Sequence, residues 1–456
     1  MNLLISIKRQ LSLSVLFYLR FWARLQLKKN HPTIIGITGT SGKTSTCRSL
    51  EALLSQKFLV KATRKANSES GLPLNILDLS MNDYSLVDWL RVIILAPFQF
   101  LTHWPKYQIY IAEMAIDSPH SPKNMAYLLT IINPDIGIFL NASTVHAENF
   151  DSLAQNQDPK KRKEEIIKLI ATEKGKLIQS LPSQGLAVLN KDDLNVVQFS
   201  NLTAASVITF GTNRNSDIRF IDAKQSLRGT SFIFQKQGSE FELTMKGYLL
   251  PDHYGYTFGA TLTVADYFKI TTQEAIKLLE ENFTLPPGRS SLINGINNSI
   301  IIDSSYNSSL SPLLDFLDLL HNLTKTRKLA LLGDMRELGK QTETDHLLAA
   351  EKIAQCCDAV FLVGPNMKKY VLPYLKDKRV RCYWSSTSLQ AANLIKNELK
   401  SKDVLLVKGS QNEIFLESAI EQLMAEPALA SKILCRRGRF WDEKRAKLED
   451  VNKEVE

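Results

Sequence analysis

The chain has 456 residues, of which 44% are hydrophobic and 23% charged, with a formal net charge of +9. These values describe a globular protein with room for two or three domains, and argue against a disordered or fibrous chain. Lys and Arg are spread along the sequence, dense only at Lys160–Lys163 and around Arg436, Arg437 and Arg439, so no nucleic-acid partner is expected. Five Cys without a CxxC pair argue against a disulfide framework or a zinc site and fit a reducing cytoplasm.

Residues 3–28 contain no Gly or Pro and read as a helix. Its longest uncharged run, Gln10 to Leu19, falls short of the roughly 20 residues needed to cross a bilayer. Lys8, Arg9, Arg20 and Arg24 interrupt the apolar pattern, with Phe17, Phe21 and Trp22 among them. Two readings stay open: a helix lying in a membrane interface, or one packed on the protein's own core or on a partner. A second apolar run, Val92 to Leu101, joins the same surface under the first reading and is an ordinary buried segment under the second.

From Thr33 short apolar runs alternate with helical stretches, which predicts a parallel α/β domain. Strands are expected at 33–38, 108–113, 136–141, 186–190 and 207–211, and helices at 43–55 and 164–178. Residues 217–247 alternate with period two and predict an antiparallel hairpin, followed by helices at 259–268 and 272–283. Leu285-Pro286-Pro287-Gly288 marks a boundary. Beyond it, five strands at 299–303, 328–332, 359–363, 380–384 and 404–407, with helices such as 345–356 and 387–399, predict a Rossmann-like domain. The expected organisation is a basic amphipathic helix at 1–30, a central parallel-sheet domain at 31–287, a Rossmann-like carboxy-terminal domain at 288–425 and a charged helical tail at 426–456.

Thr33 to Ser45 carry the strongest chemical signal. A buried strand runs into Gly39, Thr40, Ser41 and Gly42, and a helix starts at Lys43 with Thr44 and Ser45. Backbone amides in such a turn, backed by a helix N-terminus, form a phosphate cradle. In it Lys43 pairs with the β- and γ-phosphates and Thr44 places its hydroxyl on Mg²⁺. The full GxxxxGK[ST] spacing is broken by Ile37, but the shorter GTxGKT is met. The bland alternative is a glycine-rich turn without a ligand.

The run GITGTSGKTS resembles the Mur ligase family, which joins amino acids or peptides to carboxylates using ATP. Further segments extend the resemblance: Asn67 to Leu74, Ile111-Ala112-Glu113-Met114, Asn141 to His146, and Glu173-Lys174-Gly175-Lys176. In the second half, Pro287-Gly288-Arg289, Asp303 to Asn307, Gly333-Asp334-Met335-Arg336-Glu337-Leu338-Gly339 with His346, and Lys408-Gly409-Ser410 are similar to one branch. That branch adds D-alanyl-D-alanine to UDP-N-acetylmuramoyl-tripeptide.

The resemblance implies ATP, two Mg²⁺ ions held by Thr44, Glu113, His146 and a carbamylated Lys174, and nucleotide contacts from Arg289, Asp303, Tyr306 and Asn307. Lys43, Lys174 and Arg289 are the implied catalytic groups, Arg289 as a clamp on the γ-phosphate. Residues 155–168 look inserted between His146 and Lys174, which leaves Lys163 and Lys168 as rivals. The family's usual amino-terminal domain for the uridine diphosphate sugar is not expected within residues 1–32. The resemblance implies a UDP-muramoyl-peptide-like carboxylate as the acceptor, with another cell-envelope or polyglutamate acceptor as the alternative. A cytoplasmic monomer is expected, with residues 3–28 as a peripheral contact to the inner face of the cell membrane.

Overall fold

A computed structural model of the chain describes residues 2–453 apart from 64–65, 83–84, 105, 145–147, 324–325 and 411–413. It divides into two compact units. The first comprises residues 1–222, 232–243 and 253–284, and the second residues 223–231, 244–252 and 285–456.

The chain opens with α1 (Asn2–Asn30), β1 (Thr33–Thr38), α2 (Lys43–Leu54), β2 (Val60–Ala62), α3 (Gly71–Ile76) and α4 (Leu86–Thr102). Then come β3 (Ile109–Glu113), α5 (Met125–Leu128), β4 (Ile136–Phe139), α6 (Glu148–Asp151), α7 (Pro159–Gln179), β5 (Leu186–Asn190), α8 (Leu194–Val197) and β6 (Ser206–Gly211). Strands β7 (Ile218–Ser226), β8 (Gly229–Lys236) and β9 (Ser239–Lys246) precede α9 (Tyr254–Tyr267) and α10 (Thr272–Asn282). The sheet order is β2-β3-β1-β4-β5-β6-β7-β8-β9. Every pair from β2 to β7 is parallel. The two-residue links between β7, β8 and β9 make these last strands antiparallel.

The expected hairpin is thus three strands. β2 escaped the sequence reading because three residues, Val60-Lys61-Ala62, carry no pattern. Helix α7 begins earlier than expected, at Pro159, because the Asp158 side chain accepts from the amides of Lys160 and Lys161 and Pro159 suits a first helical turn. Most of the stretch that looked inserted is therefore the start of α7. Helix α1 buries Leu16, Leu19, Ala23 and Leu27 in a core shared with α3, α4, Tyr110 and Phe139.

The second unit holds β10 (Ser291–Asn294), β11 (Ile300–Ser304), α11 (Leu310–Asn322), β12 (Lys328–Gly333), α12 (Thr342–Cys356), β13 (Ala359–Val363) and α13 (Leu372–Asp377). It continues with β14 (Cys382–Ser385), α14 (Ser388–Glu398), β15 (Val404–Lys408), α15 (Leu416–Leu423), α16 (Ala430–Ile433) and α17 (Arg439–Lys453). The sheet order is β10-β11-β15-β12-β13-β14, with β10 antiparallel to β11 and the rest parallel. Alternate residues feed two cores. Ala330, Leu332 and Leu406 pack with α11 and α12, while Leu329, Leu331 and Leu405 pack with α14 and α15. Burial on both faces is why these strands read as continuous apolar runs.

Candidate functional site

In the first unit, β1 is flanked by β3 and β4, so the carboxyl ends of three parallel strands lie side by side. The loop after β1 turns at Gly42, which has φ 83° and caps α2 without a side-chain hydrogen bond. An L side chain adopts that backbone poorly, which explains the glycine. The helix's own hydrogen bonding starts with Thr46 N to Gly42 O, so the amides of its first turn point out of the helix end. Asn141, just past β4, holds the loop. Its Oδ1 accepts from Thr40 N at 3.0 Å and Ser41 N at 2.9 Å, and its Nδ2 donates to Ser41 O at 3.2 Å. That leaves the amides from Gly42 to Ser45 for an anion.

Lys43 folds back over the loop and donates to Gly39 O at 2.8 Å and Thr40 O at 3.1 Å. Burial lowers its pKa, against the opposing charges of Glu113 and Asp117. Thr44 Oγ1 donates to Glu113 Oε2 at 2.8 Å, and Asn67 Nδ2 to Glu113 Oε1 at 3.1 Å. Glu113 ends β3 and is only 7% exposed. A carboxylate and a hydroxyl at this distance are hard oxygen donors of the kind Mg²⁺ takes, alongside phosphate oxygens and water. Among the described residues no three His, Cys, Asp or Glu converge, so a cation here would need those further oxygens.

Lys174 reaches the same loop from α7 and donates to Gly39 O at 3.2 Å. Burial, then the charge of Lys43, lowers its pKa to about 7, with Asp117 opposing. Gly175 sets the helix's approach: a Cβ there would lie 2.0 Å from the Phe199 ring. The rivals Lys163 and Lys168 are both exposed. His146 lies outside the described residues.

In the second unit a separate group gathers at the carboxyl end of β11. The Arg289 guanidinium lies 4.8 Å from the Tyr306 ring centroid. Asp303 is fully buried; its Oδ1 accepts from Ser305 N at 3.0 Å while Oδ2 has no partner. Burial raises its pKa to about 6. Lys408 donates to Asn307 O at 2.9 Å and Ser304 Oγ at 3.3 Å, and burial, then Arg289, lowers its pKa to about 8. Behind Tyr306, Arg436 donates to the carbonyls of Ser305 and Tyr306 and pairs with the buried Glu417 at 2.6 Å. Asp334 accepts from the amides of Asn366 and Met367, and His346 Nε2 accepts from Met335 N. These two side chains hold backbone, beside a cavity of about 400 Å³ lined by Asp334, Arg336, Asn366, Thr387 and Arg445.

The profile of the Mur ligase middle domain matches residues 37–256, and that of the Mur ligase glutamate ligase domain matches residues 288–411. The chain belongs to the Mur ligase family. Members of this family are ATP-dependent ligases. The chain is 28% identical over 400 residues to the UDP-N-acetylmuramoyl-tripeptide–D-alanyl-D-alanine ligase of Synechocystis sp., which covers 86% of this chain and 75% of that one. The crystal structure of MurF from Acinetobacter baumannii superposes with a TM-score of 0.69 at 18% identity, covering 89% of this chain and 79% of that one. MurF from Thermotoga maritima in complex with ADP gives 0.64 at 24% identity, covering 89% and 83%.

The motifs of this Mur ligase brought Lys43, Thr44, Glu113 and Lys174 to one loop, and Arg289, Asp303, Tyr306 and Asn307 to one strand end. The sequence reading missed the roles of Asn67 and Asn141 as props, and of Asp117 as a nearby charge. Both Asn residues stand inside the motif segments at 67–74 and 141–146, but a prop is recognised only from what it touches. It missed Arg436 as well, which read as part of a charged tail.

Proposed function

We propose that this Mur ligase joins D-alanyl-D-alanine to a UDP-N-acetylmuramoyl-tripeptide-like carboxylate through an acyl phosphate, a step of peptidoglycan precursor synthesis in the cytoplasm. The carrying observation is the convergence of Lys43, Lys174 and the Thr44–Glu113 pair on one glycine loop. The named activity of the Synechocystis relative supports the choice of substrates.

In this reading the amides from Gly42 to Ser45 and the Lys43 ammonium bind the β- and γ-phosphates of ATP. The acceptor carboxylate attacks the γ-phosphorus and ADP leaves. The dipeptide amine then attacks the acyl carbon, phosphate departs, and the amine's proton is released. Thr44 and Glu113 would hold Mg²⁺, which neutralises phosphate charge when bound. His146 and Lys174 would hold a second ion. Lys174 as an ammonium cannot bind a cation. Its pKa, lowered by burial to about 7, favours the free amine, the form that adds CO₂ to give an oxygen-bearing carbamate. Arg289 would contact the γ-phosphate, Asp303 the ribose and Asn307 the adenine, with Tyr306 packed near the nucleotide. The partnerless Oδ2 of Asp303 fits a hydroxyl donor, although its full burial requires a local opening. Peripheral membrane contact through residues 3–28 and a monomeric state belong to the same reading.

The deciding assay measures phosphate release from ATP with UDP-muramoyl-tripeptide and D-alanyl-D-alanine. Release is expected only when both are present. Release with glutamate in place of the dipeptide would move the chain to another branch of the family.

Lys174 offers a second check. Its folded pKa lies below the usual 10.5, so between pH 7 and 10.5 the unfolded chain holds a proton that the folded chain has released. Folding stability therefore rises with pH through that window, and the penalty for burying the ammonium is fully present below about pH 7. Lys174→Met is expected to abolish ligation and to stabilise the uncarbamylated fold at pH 7 by at most about 4 kcal/mol. Denaturant unfolding at neutral and alkaline pH reads the second effect. A ¹³C-bicarbonate carbamate signal, present in the parent and lost in the variant, reads the modification.

A further inference from the structure

Helix α4 carries an inverted pattern. Its acidic residue, Asp88, is buried and bonded to Arg91, while its outward stripe is apolar. Leu86, Leu90, Ile94, Phe98 and Leu101 are between 58% and 83% exposed. A water-facing helix puts polar residues on that stripe. The surface continues onto α1, where Phe17 and Phe21 are about half exposed and Trp22 packs on Phe100 of α4 at 5.5 Å between centroids. Large side chains contiguous over two helices form a patch of the kind that marks an interaction surface.

The charge around it identifies what it meets. Residues 1–31 and 85–107 contain eight Lys and Arg against the single Asp88, seven of the nine net positive charges of the chain. On α1 the exposed stripe passes directly from Phe17 and Phe21 to Arg24 and Lys28, one face changing from apolar to basic. Lys29 lies 3.0 Å from the ring centroid of Trp104, itself 65% exposed, at the end of α4. Of the three Trp in these stretches, Trp104 faces out, while Trp22 and Trp89 pack partly on the core. Apolar side chains bordered by cations and by the exposed Trp104 match the interfacial zone of a bilayer with anionic headgroups. A second copy of the chain would set cation against cation across a two-fold contact.

We propose that the α4 stripe, with Phe17 and Phe21 of α1, seats this protein on an anionic lipid surface, with α4 lying along the interface. No described helix is long and apolar enough to cross a membrane. The surface uses none of the loop residues, so lipid binding and ligation are read separately.

The test is flotation of the full chain with vesicles of phosphatidylcholine alone or mixed with phosphatidylglycerol. Binding to the mixed vesicles is expected, weakening as salt is raised. Ile94→Asp/Phe98→Asp should lower the partition coefficient by roughly a hundredfold. Arg24→Glu/Lys28→Glu should lower it at least about tenfold on the anionic vesicles alone. Ile94, Phe98 and Lys28 are exposed, and Arg24 gives up one surface hydrogen bond to Thr130 O, so thermal unfolding of the Asp pair should match the parent, that of the Glu pair should fall by no more than a few degrees, and ATP hydrolysis in vesicle-free solution should match in both. The proposal is overturned if the parent stays unbound, or if the Asp pair binds as the parent does. It is also overturned if light scattering shows a dimer that the Asp pair dissolves while no vesicle is bound.

Discussion

Lys43→Ala is expected to reduce ATP-driven ligation by about a thousandfold with the fold intact. The ammonium is half-buried over the loop, and its hydrogen bonds to Gly39 O and Thr40 O are made by a chain end, not by the backbone that shapes the turn. Asn141 keeps its three bonds to the loop in the variant, so the amide cradle survives. What disappears is the ammonium that the loop itself holds against negative charge moving from the γ-phosphate to the leaving ADP. Lys43→Arg should not restore the rate, because a planar fork cannot occupy the place of a compact ammonium folded against Gly39. Phosphate release under saturating substrates measures the effect, and circular dichroism checks the fold. Near-parental turnover in Lys43→Ala would remove this residue from the reaction.

Arg436→Ala is expected to cost about 3–5 kcal/mol of stability. Glu417 is wholly buried, and Arg436 neutralises it through two hydrogen bonds of 2.8 and 2.6 Å. Removing the guanidinium leaves a buried carboxylate with Arg445, 3.7 Å away, as a partial substitute. The same guanidinium donates to the carbonyls of Ser305 and Tyr306, so its loss also loosens the backbone that carries Tyr306 beside Arg289. Two readouts follow. The denaturant midpoint should fall, and the KM for ATP should rise. Combining Arg436→Met with Glu417→Leu should recover most of the stability, since the buried Glu417 charge is removed together with its partner, but not the KM. An unchanged midpoint in Arg436→Ala would show that the pair carries no net weight.

What the sequence by itself determined is the chemistry that lies in one contiguous stretch. Strand, glycines, Lys43 and Thr44 follow one another within residues 33–46, and the amides they present are backbone groups that need no distant partner. The parallel strands were legible for a related reason: buried on both faces, each reads as an unbroken apolar run. Tertiary structure alone decided the rest. Glu113 meets Thr44 across 69 residues because β3 lies beside β1 in the sheet. Lys174, and not Lys163 or Lys168, reaches the loop because the rotation of α7 turns that side inward and Gly175 lets the helix close on Phe199. Arg436, read as part of a charged tail, is buried because Glu417 is. The run from Val92 to Leu101 is apolar whether it faces core or solvent. Only the packing of α4, with Val92 and Ala96 inward and Ile94 and Phe98 outward, shows that half of it was left for another surface.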